Sequence, residues 1–181
     1  MAHSHFAEAL RQDPRRGFLA FRPCTLEMAP AHAVIEWAPN AGMQKDFDTW
    51  NDKKKKINDD PNHRVFFHNR ELWFAYLGAN VGFEQDGRGA DFLRPVLILR
   101  KFNNVIFWAV PLTKTWKPHN PYYARFHYVA FPEIESDPLL SSTAILSQLR
   151  LVDARRLRYK IGTVHADEFG TLKEKIRRLL A

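Results

Sequence analysis

From Leu72 to Leu146 the sequence strings together five short apolar runs separated by turn-forming segments, and this rhythm limits the fold more than any other feature. Leu72-Trp73-Phe74-Ala75-Tyr76-Leu77 is rich in aromatics and ends at Gly78, the pattern of a buried strand. Pro95 to Leu99 is a second run, with Pro95 placed to open it, because proline cannot donate to a ladder. Val105 to Val110 is the third, and Asn103-Asn104 ahead of it supplies a hairpin turn from the second. Ala124 to Phe131 and Thr143 to Leu146 add two more, and Arg150 to Arg158 reads as a further short strand or a tight helical turn. The chain then closes on a helix from about Asp167 to Leu180. There Phe169, Leu172, Ile176 and Leu179 form one apolar stripe, and the basic last turns favour the helix dipole. Short strands followed by one amphipathic helix predict a mainly β fold with helices (α+β), a small curled sheet or barrel with the helix packed on it.

Ahead of the strands, Met43 to about Asn58 reads as a helix. Phe47, Trp50 and Ile57 share one face of a 3.6-residue period, Lys53 to Lys56 lie largely on the others, and Pro61 ends the ladder. Both aromatics are expected in the core. The lysine run reads as a solvated helix face or as a phosphate contact. Residues 1–40 differ from the rest: Pro14, Pro23, Pro30 and Pro39 break every hydrophobic period. Their arginines hint at a transit peptide, but Glu8, Asp13, Glu27 and Glu36 are too many acids for one. They are expected to be a poorly structured tail, or a stretch upstream of the true start codon. The expected division is therefore a tail at 1–40, an accessory helix at 41–62 and the main domain at 63–181.

Composition narrows the function. Cys24 is the only cysteine, which excludes an internal disulfide and any multi-cysteine metal site and fits a reducing cytoplasm. No stretch approaches the roughly 18 uninterrupted apolar residues of a membrane span. The chain carries 27 basic and 20 acidic residues, a net charge of +7. Residues 1–40 hold four of each sign, so the other 23 basic and 16 acidic residues, and the whole excess, belong to the body. A polyanion is a natural partner for that body; a merely solvated basic surface is the other reading.

No metal, P-loop or Gly-x-Ser-x-Gly motif is present, and the eight histidines lack metal-ligand spacing, so structural or surface roles are expected for them and no cofactor is implied. One segment stands apart: Gly78-Ala79-Asn80-Val81-Gly82-Phe83-Glu84-Gln85-Asp86-Gly87-Arg88-Gly89, leading to Arg94-Pro95. Four glycines let its backbone approach a ligand or take positive φ, and Glu84, Gln85, Arg88 and Arg94 concentrate there. It is either a mobile surface loop or, as its length favours, a functional one.

These residues resemble the MazF/PemK (Kid-like) toxins of type II toxin–antitoxin systems. Glu71 to Leu77 with Val81-Gly82-Phe83-Glu84-Gln85 is similar to the family's opening strand and Gly-x-Glu-Gln loop, and Arg94-Pro95-Val96 to its Arg-Pro-Val. Val110-Pro111-Leu112-Thr113 is similar to its Pro-Leu/Ile-Thr strand end. Ser142 to Arg150 and Val152 to Leu157 resemble its Ser-Gln-Ile-Arg and Asp-x-x-Arg-Leu segments, and Lys160-Ile161-Gly162-Thr163 and the final helix complete the order across about 110 residues.

The resemblance implies an SH3-like small barrel of the CcdB/Kid/PemK type, a homodimer, that cuts single-stranded mRNA at short sequences and is neutralised by a cognate antitoxin. It implies Arg94 and Thr113 as catalytic residues, with Glu84 as candidate proton acceptor and no metal. Gln85, Arg88, Lys114, Gln148 and Arg150 are the candidate RNA contacts; for Gln148 and Arg150, sheet hydrogen bonding and dimer packing compete with that role. Two departures stand out. Asp86 to Leu93 are inserted between Glu-Gln and Arg-Pro, and the Met43–Asn58 helix precedes the first strand. Two rival functions remain: an inactive nucleic-acid-binding module, and a CcdB-like gyrase poison, which the Arg178-Leu179-Leu180-Ala181 ending disfavours for want of a tryptophan.

Overall fold

The computed structural model describes residues 45–60, 63, 65–131 and 140–181, so the sequence reading of residues 1–40 falls outside it. The first described element is helix α1 (Phe47–Asn58), started by Asp46, whose carboxylate accepts from the Thr49 amide at 2.9 Å. Trp50 is buried as expected, but Phe47 is 48% exposed. Trp50 alone of the two meets ring and cation partners, Phe92 at 5.6 Å and the Arg156 guanidinium at 5.4 Å.

Seven strands and a closing helix follow: β1 (Glu71–Tyr76), β2 (Leu93–Lys101), β3 (Ile106–Thr113), β4 (Tyr123–Ala130), β5 (Leu140–Ile145), β6 (Arg150–Asp153), β7 (Leu157–Val164) and α2 (Ala166–Leu180). All pairings are antiparallel, in the order β2-β1-β7-β4-β5-β3-β6. Because β2 also pairs with β3, the first six strands in that order close into a ring, the small barrel the sequence implied. Strand β6 continues along β3 where β5 stops, opposite β2: β5 pairs with Leu112 and Thr113, β6 with Ile106 to Ala109. The 150–158 segment thus holds both alternatives of its reading, since a one-turn 3-10 helix (Ala154–Arg156) separates β6 from β7. In the β2–β3 turn, the Asn103 side chain accepts from the amides of Val105 and Ile106 at 2.8 and 2.9 Å.

Strand β2 begins two residues before Pro95, because Leu93 and Arg94 pair with Tyr76 and Ala75 of β1; Leu93 also exchanges two backbone bonds with Arg88, at 2.8 and 3.1 Å. The run Val96-Leu97-Ile98-Leu99 is unbroken because both faces of β2 are covered. Leu97 and Leu99 join Val110, Leu112 and Phe126 under Phe169, Leu172 and Ile176 of α2, while Val96 and Ile98 join Phe67, Trp73, Phe107 and Leu157. Each of the three α2 side chains stabilises the fold by about 1.5–3 kcal/mol through burial. Leu179, at the far end of the stripe, stays partly exposed.

The start of β1 is held by a buried carboxylate. Glu71 accepts from Trp73 Nε1, Lys160 Nζ and the His68 amide, each at 2.9 Å. Burial pushes its pKa up, but bonds from Lys160, Trp73 and His68 outweigh that and hold it below the ordinary glutamate value.

Candidate active site

Antiparallel register brings the ends of β2 and β3 together. Val96 pairs with Pro111 at the end of that ladder, and Arg94 and Thr113 each lie two residues beyond it on their own strands. Arg94, only 7% exposed, is gripped from both sides: Nη1 donates to the Leu112 carbonyl at 3.1 Å, and Nε donates to the Asp86 carbonyl. These contacts use two of the five guanidinium donors, and Nη2 has no hydrogen-bond partner among the described residues. Burial, then the neighbouring Arg88 guanidinium, lower the Arg94 pKa, with Asp86 opposing. A guanidinium nonetheless keeps its proton in proteins. Thr113 is half-buried and its Oγ1 accepts from the Thr115 amide at 3.2 Å, leaving its own O–H to turn elsewhere.

The loop between β1 and β2 supplies the rest. Gln148 follows β5 in a one-turn 3-10 helix; its Oε1 accepts from the Gln85 amide at 3.3 Å and its Nε2 donates to the Phe83 carbonyl at 3.4 Å. Arg150, opening β6, lies 3.6 Å from the exposed Glu84 carboxylate. Glu84, Gln85, Gln148 and Arg150 are therefore one connected set, with Arg94 tied to it through the next loop residue, Asp86. Arg88 is exposed near Arg94, and Lys114 is exposed just past Thr113.

Two of the loop's glycines serve close approach within the protein itself. A Cβ on Gly78, at φ +84°, would stand 2.0 Å from Trp50 Cε2, and one on Gly87 would stand 1.6 Å from the Phe92 carbonyl oxygen. The inserted segment folds back on itself, with Gly87 N–H donating to Gly78 O at 2.8 Å and Leu77 N–H donating to Phe92 O at 3.1 Å. Sequence reasoning missed the residues that hold this loop. Lys45, just before α1, donates to the carbonyls of Asn80 and Gly82 and pairs with Asp86. Lys53 pairs with Asp91, and Arg156 donates to the Tyr76 carbonyl at 3.0 Å. Nothing local marks Lys45 or Lys53 as different from other surface lysines, since their partners in the loop lie 35 or more residues away.

Among the described residues no three His, Cys, Asp or Glu side chains come together as a metal site. No described helix is long and apolar enough to cross a membrane. A hollow of about 420 Å³ lined by Trp50, Ile57, Arg155 and Arg156 takes in Lys54 and Lys55 of the lysine run but none of the candidate catalytic or RNA-contacting residues.

A closed antiparallel ring with a terminal helix, carrying an arginine and a threonine on neighbouring strand ends with a long β1–β2 loop, defines a small β-barrel protein. The chain belongs to the PemK-like, MazF-like toxin family of type II toxin–antitoxin systems, whose model matches residues 70–180. Solved structures similar to it include the Mycobacterium tuberculosis toxin MazF-mt6, at 18% identity over 61% of this chain and 96% of the other, with a TM-score of 0.42. MazF from Deinococcus radiodurans is 19% identical over 64% of this chain and 97% of its own, with a TM-score of 0.43. The MazE-MazF structure from the same organism is 15% identical over 65% and 98%, with a TM-score of 0.39. No curated protein matches the chain.

Proposed function

We propose that the chain is a toxin that cleaves single-stranded mRNA as a sequence-selective endoribonuclease and needs no metal to do so. The observation that carries this reading is the Arg94 guanidinium, fixed by the carbonyls of Asp86 and of Leu112, the residue before Thr113. In the reaction a ribose 2′-oxygen attacks the adjacent phosphorus, the bond to the 5′-oxygen breaks, and the products end in a 2′,3′-cyclic phosphate and a 5′-hydroxyl. Negative charge builds on the phosphoryl oxygens, and a preorganised guanidinium is suited to receive it. Thr113 Oγ donates to a phosphate oxygen or positions the 2′-hydroxyl. Glu84 takes the 2′-proton, and the 5′-oxygen leaves with a proton from solvent or from the protonated carboxyl.

Gln85, Arg88, Lys114, Gln148 and Arg150 border the groove and contact the strand on either side of the cut. Phe83, 79% exposed on a backbone pinned by Gln148, offers a ring on which a base can stack. The same basic groove accepts an acidic segment of a cognate antitoxin. The toxin works in the cytoplasm as a homodimer, which light scattering on the purified protein tests.

Incubation with a long single-stranded RNA in excess EDTA, followed by end analysis, tests the central reading. Discrete fragments with cyclic-phosphate and 5′-hydroxyl ends are expected. Intact RNA retained on the protein overturns it in favour of an inactive binding module.

A further inference from the structure

Lys45 lies outside the segment shared with the family, residues 70–180, yet it occupies the inside of the β1–β2 loop. Its ammonium has three donors and finds three acceptors: the carbonyl of Asn80 at 2.6 Å, the carbonyl of Gly82 at 2.8 Å and Asp86 Oδ2 at 2.9 Å. The other Asp86 oxygen accepts from the Asn80 amide at 2.6 Å, and the Asp86 carbonyl accepts from Arg94 Nε. Asp86 therefore faces Lys45 with its side chain and Arg94 with its backbone. Close by, α1 is clamped to the same loop through Trp50 on Gly78 and Phe92 and through Lys53 on Asp91. With Lys45 removed, two carbonyls and a carboxylate lose their cation, and the Asp86 side chain keeps only the bond from the Asn80 amide among those described.

We infer that Lys45 is a positioning residue for Arg94: through Asp86 it sets where the guanidinium points, so a segment N-terminal to the shared domain completes the site. This rests on the proposed reading only where it concerns cleavage; the link between Lys45 and Arg94 stands apart from what Arg94 does. A displacement of the order of 1 Å at a group that must meet a transition state costs up to about 100-fold in rate.

The test uses the full chain with Lys45→Ala, Lys45→Arg, Asp86→Ala and the Lys45→Ala/Asp86→Ala double variant. The Arg94 Nε–H resonance is followed by NMR, amide exchange is measured across residues 78–88, and kcat and KM are measured on RNA. In Lys45→Ala the Arg94 resonance is expected to shift or broaden, and exchange at Asn80 and Gln85 to rise by about tenfold or more while β3 is unchanged. The turnover number should fall by about 10- to 100-fold with KM altered much less. Lys45→Arg should restore part of each effect, and the double variant should be no worse than Asp86→Ala alone. An unmoved Arg94 resonance with unchanged loop exchange overturns the inference, as does a loss carried entirely by KM. If the unaltered protein cuts no RNA, the reading of function fails alone, and the resonance and exchange results still decide whether Lys45 positions Arg94.

Discussion

Gly78→Ala probes whether α1 belongs to the same cooperative structure as the barrel. A methyl group there meets two obstacles. The residue sits at φ +84°, where an L side chain costs roughly 1–2 kcal/mol. The new Cβ would also lie 2.0, 2.3 and 2.4 Å from three indole atoms of Trp50, far inside van der Waals contact. The indole has little room to yield, with Phe92 at 5.6 Å and the Arg156 guanidinium at 5.4 Å, so it must give up much of its burial. Loss of a buried tryptophan costs about 3–5 kcal/mol, and if half of it is forfeited the total is about 3–4 kcal/mol. For a domain of this size that lowers Tm by about 10 °C. Urea denaturation followed by far-UV circular dichroism measures it. Trp50→Ala removes the collision but not the strain, so adding Gly78→Ala to it should cost only about 1–2 kcal/mol more. Equal costs of Gly78→Ala in both backgrounds, or a cost below about 0.5 kcal/mol alone, would refute the reasoning.

Arg94→Ala should abolish RNA cleavage while leaving binding weakened but present, because other cations border the groove; cleavage at the original rate would show that Arg94 is not at the active centre. Thr113→Val keeps the shape but removes the hydroxyl that accepts from the Thr115 amide, so it should lower turnover while costing only about 1 kcal/mol of stability, as single-turnover kinetics and urea titration together would reveal. The folded pKa of Glu71 lies below its unfolded value, so its contribution is fully present above the ordinary glutamate range and is lost as pH falls through the folded value. Glu71→Gln should therefore destabilise the protein at pH 7 by about 2 kcal/mol and flatten the loss of stability below pH 5, checked by urea denaturation across pH.

The strands from β1 to β5 were legible because several are bounded by residues with few conformational options, such as the Asn103 turn and Gly78, whereas β7 (Leu157–Val164), which pairs with β1 and β4, was not read as a strand. The apolar stripe of α2 was legible because Phe169, Leu172 and Ile176 recur at helical spacing. What escaped was long-range. Phe47 and Trp50 look alike in sequence, and only the position of Phe92 and Gly78, some forty and thirty residues on, decides that Trp50 is the buried one. The same holds for Lys45, whose meaning comes from carbonyls that face inward only once the loop has folded. Arg94 was legible from motif, yet its two carbonyl partners come from the inserted loop and from β3, which no pattern around Arg94 contains. The glycine-rich loop invited a reading of close approach to a ligand; at Gly78 and Gly87 the close neighbours are the protein's own Trp50 and Phe92.

The charge excess gains a location from this arrangement. Burial and then a neighbouring guanidinium, Arg88 for Arg94 and Arg150 for Arg156, lower the pKa of each, with Asp86 and Asp153 opposing, so cations and acids alternate around this loop. The cation pairs disfavour the empty folded state and favour an incoming anion. The acids nearby differ in how firmly they are held. Asp86 is fixed by Lys45 and Asn80, whereas Glu84 is exposed and touches Arg150 only at 3.6 Å, a pair that contributes little by itself. On the proposed reading, a phosphate drawn to Arg150 displaces the Glu84 carboxylate and leaves it free to accept the 2′-proton. The fixed acid then keeps the cation in place while the loose one does chemistry, and that division follows from how many donors each carboxylate has.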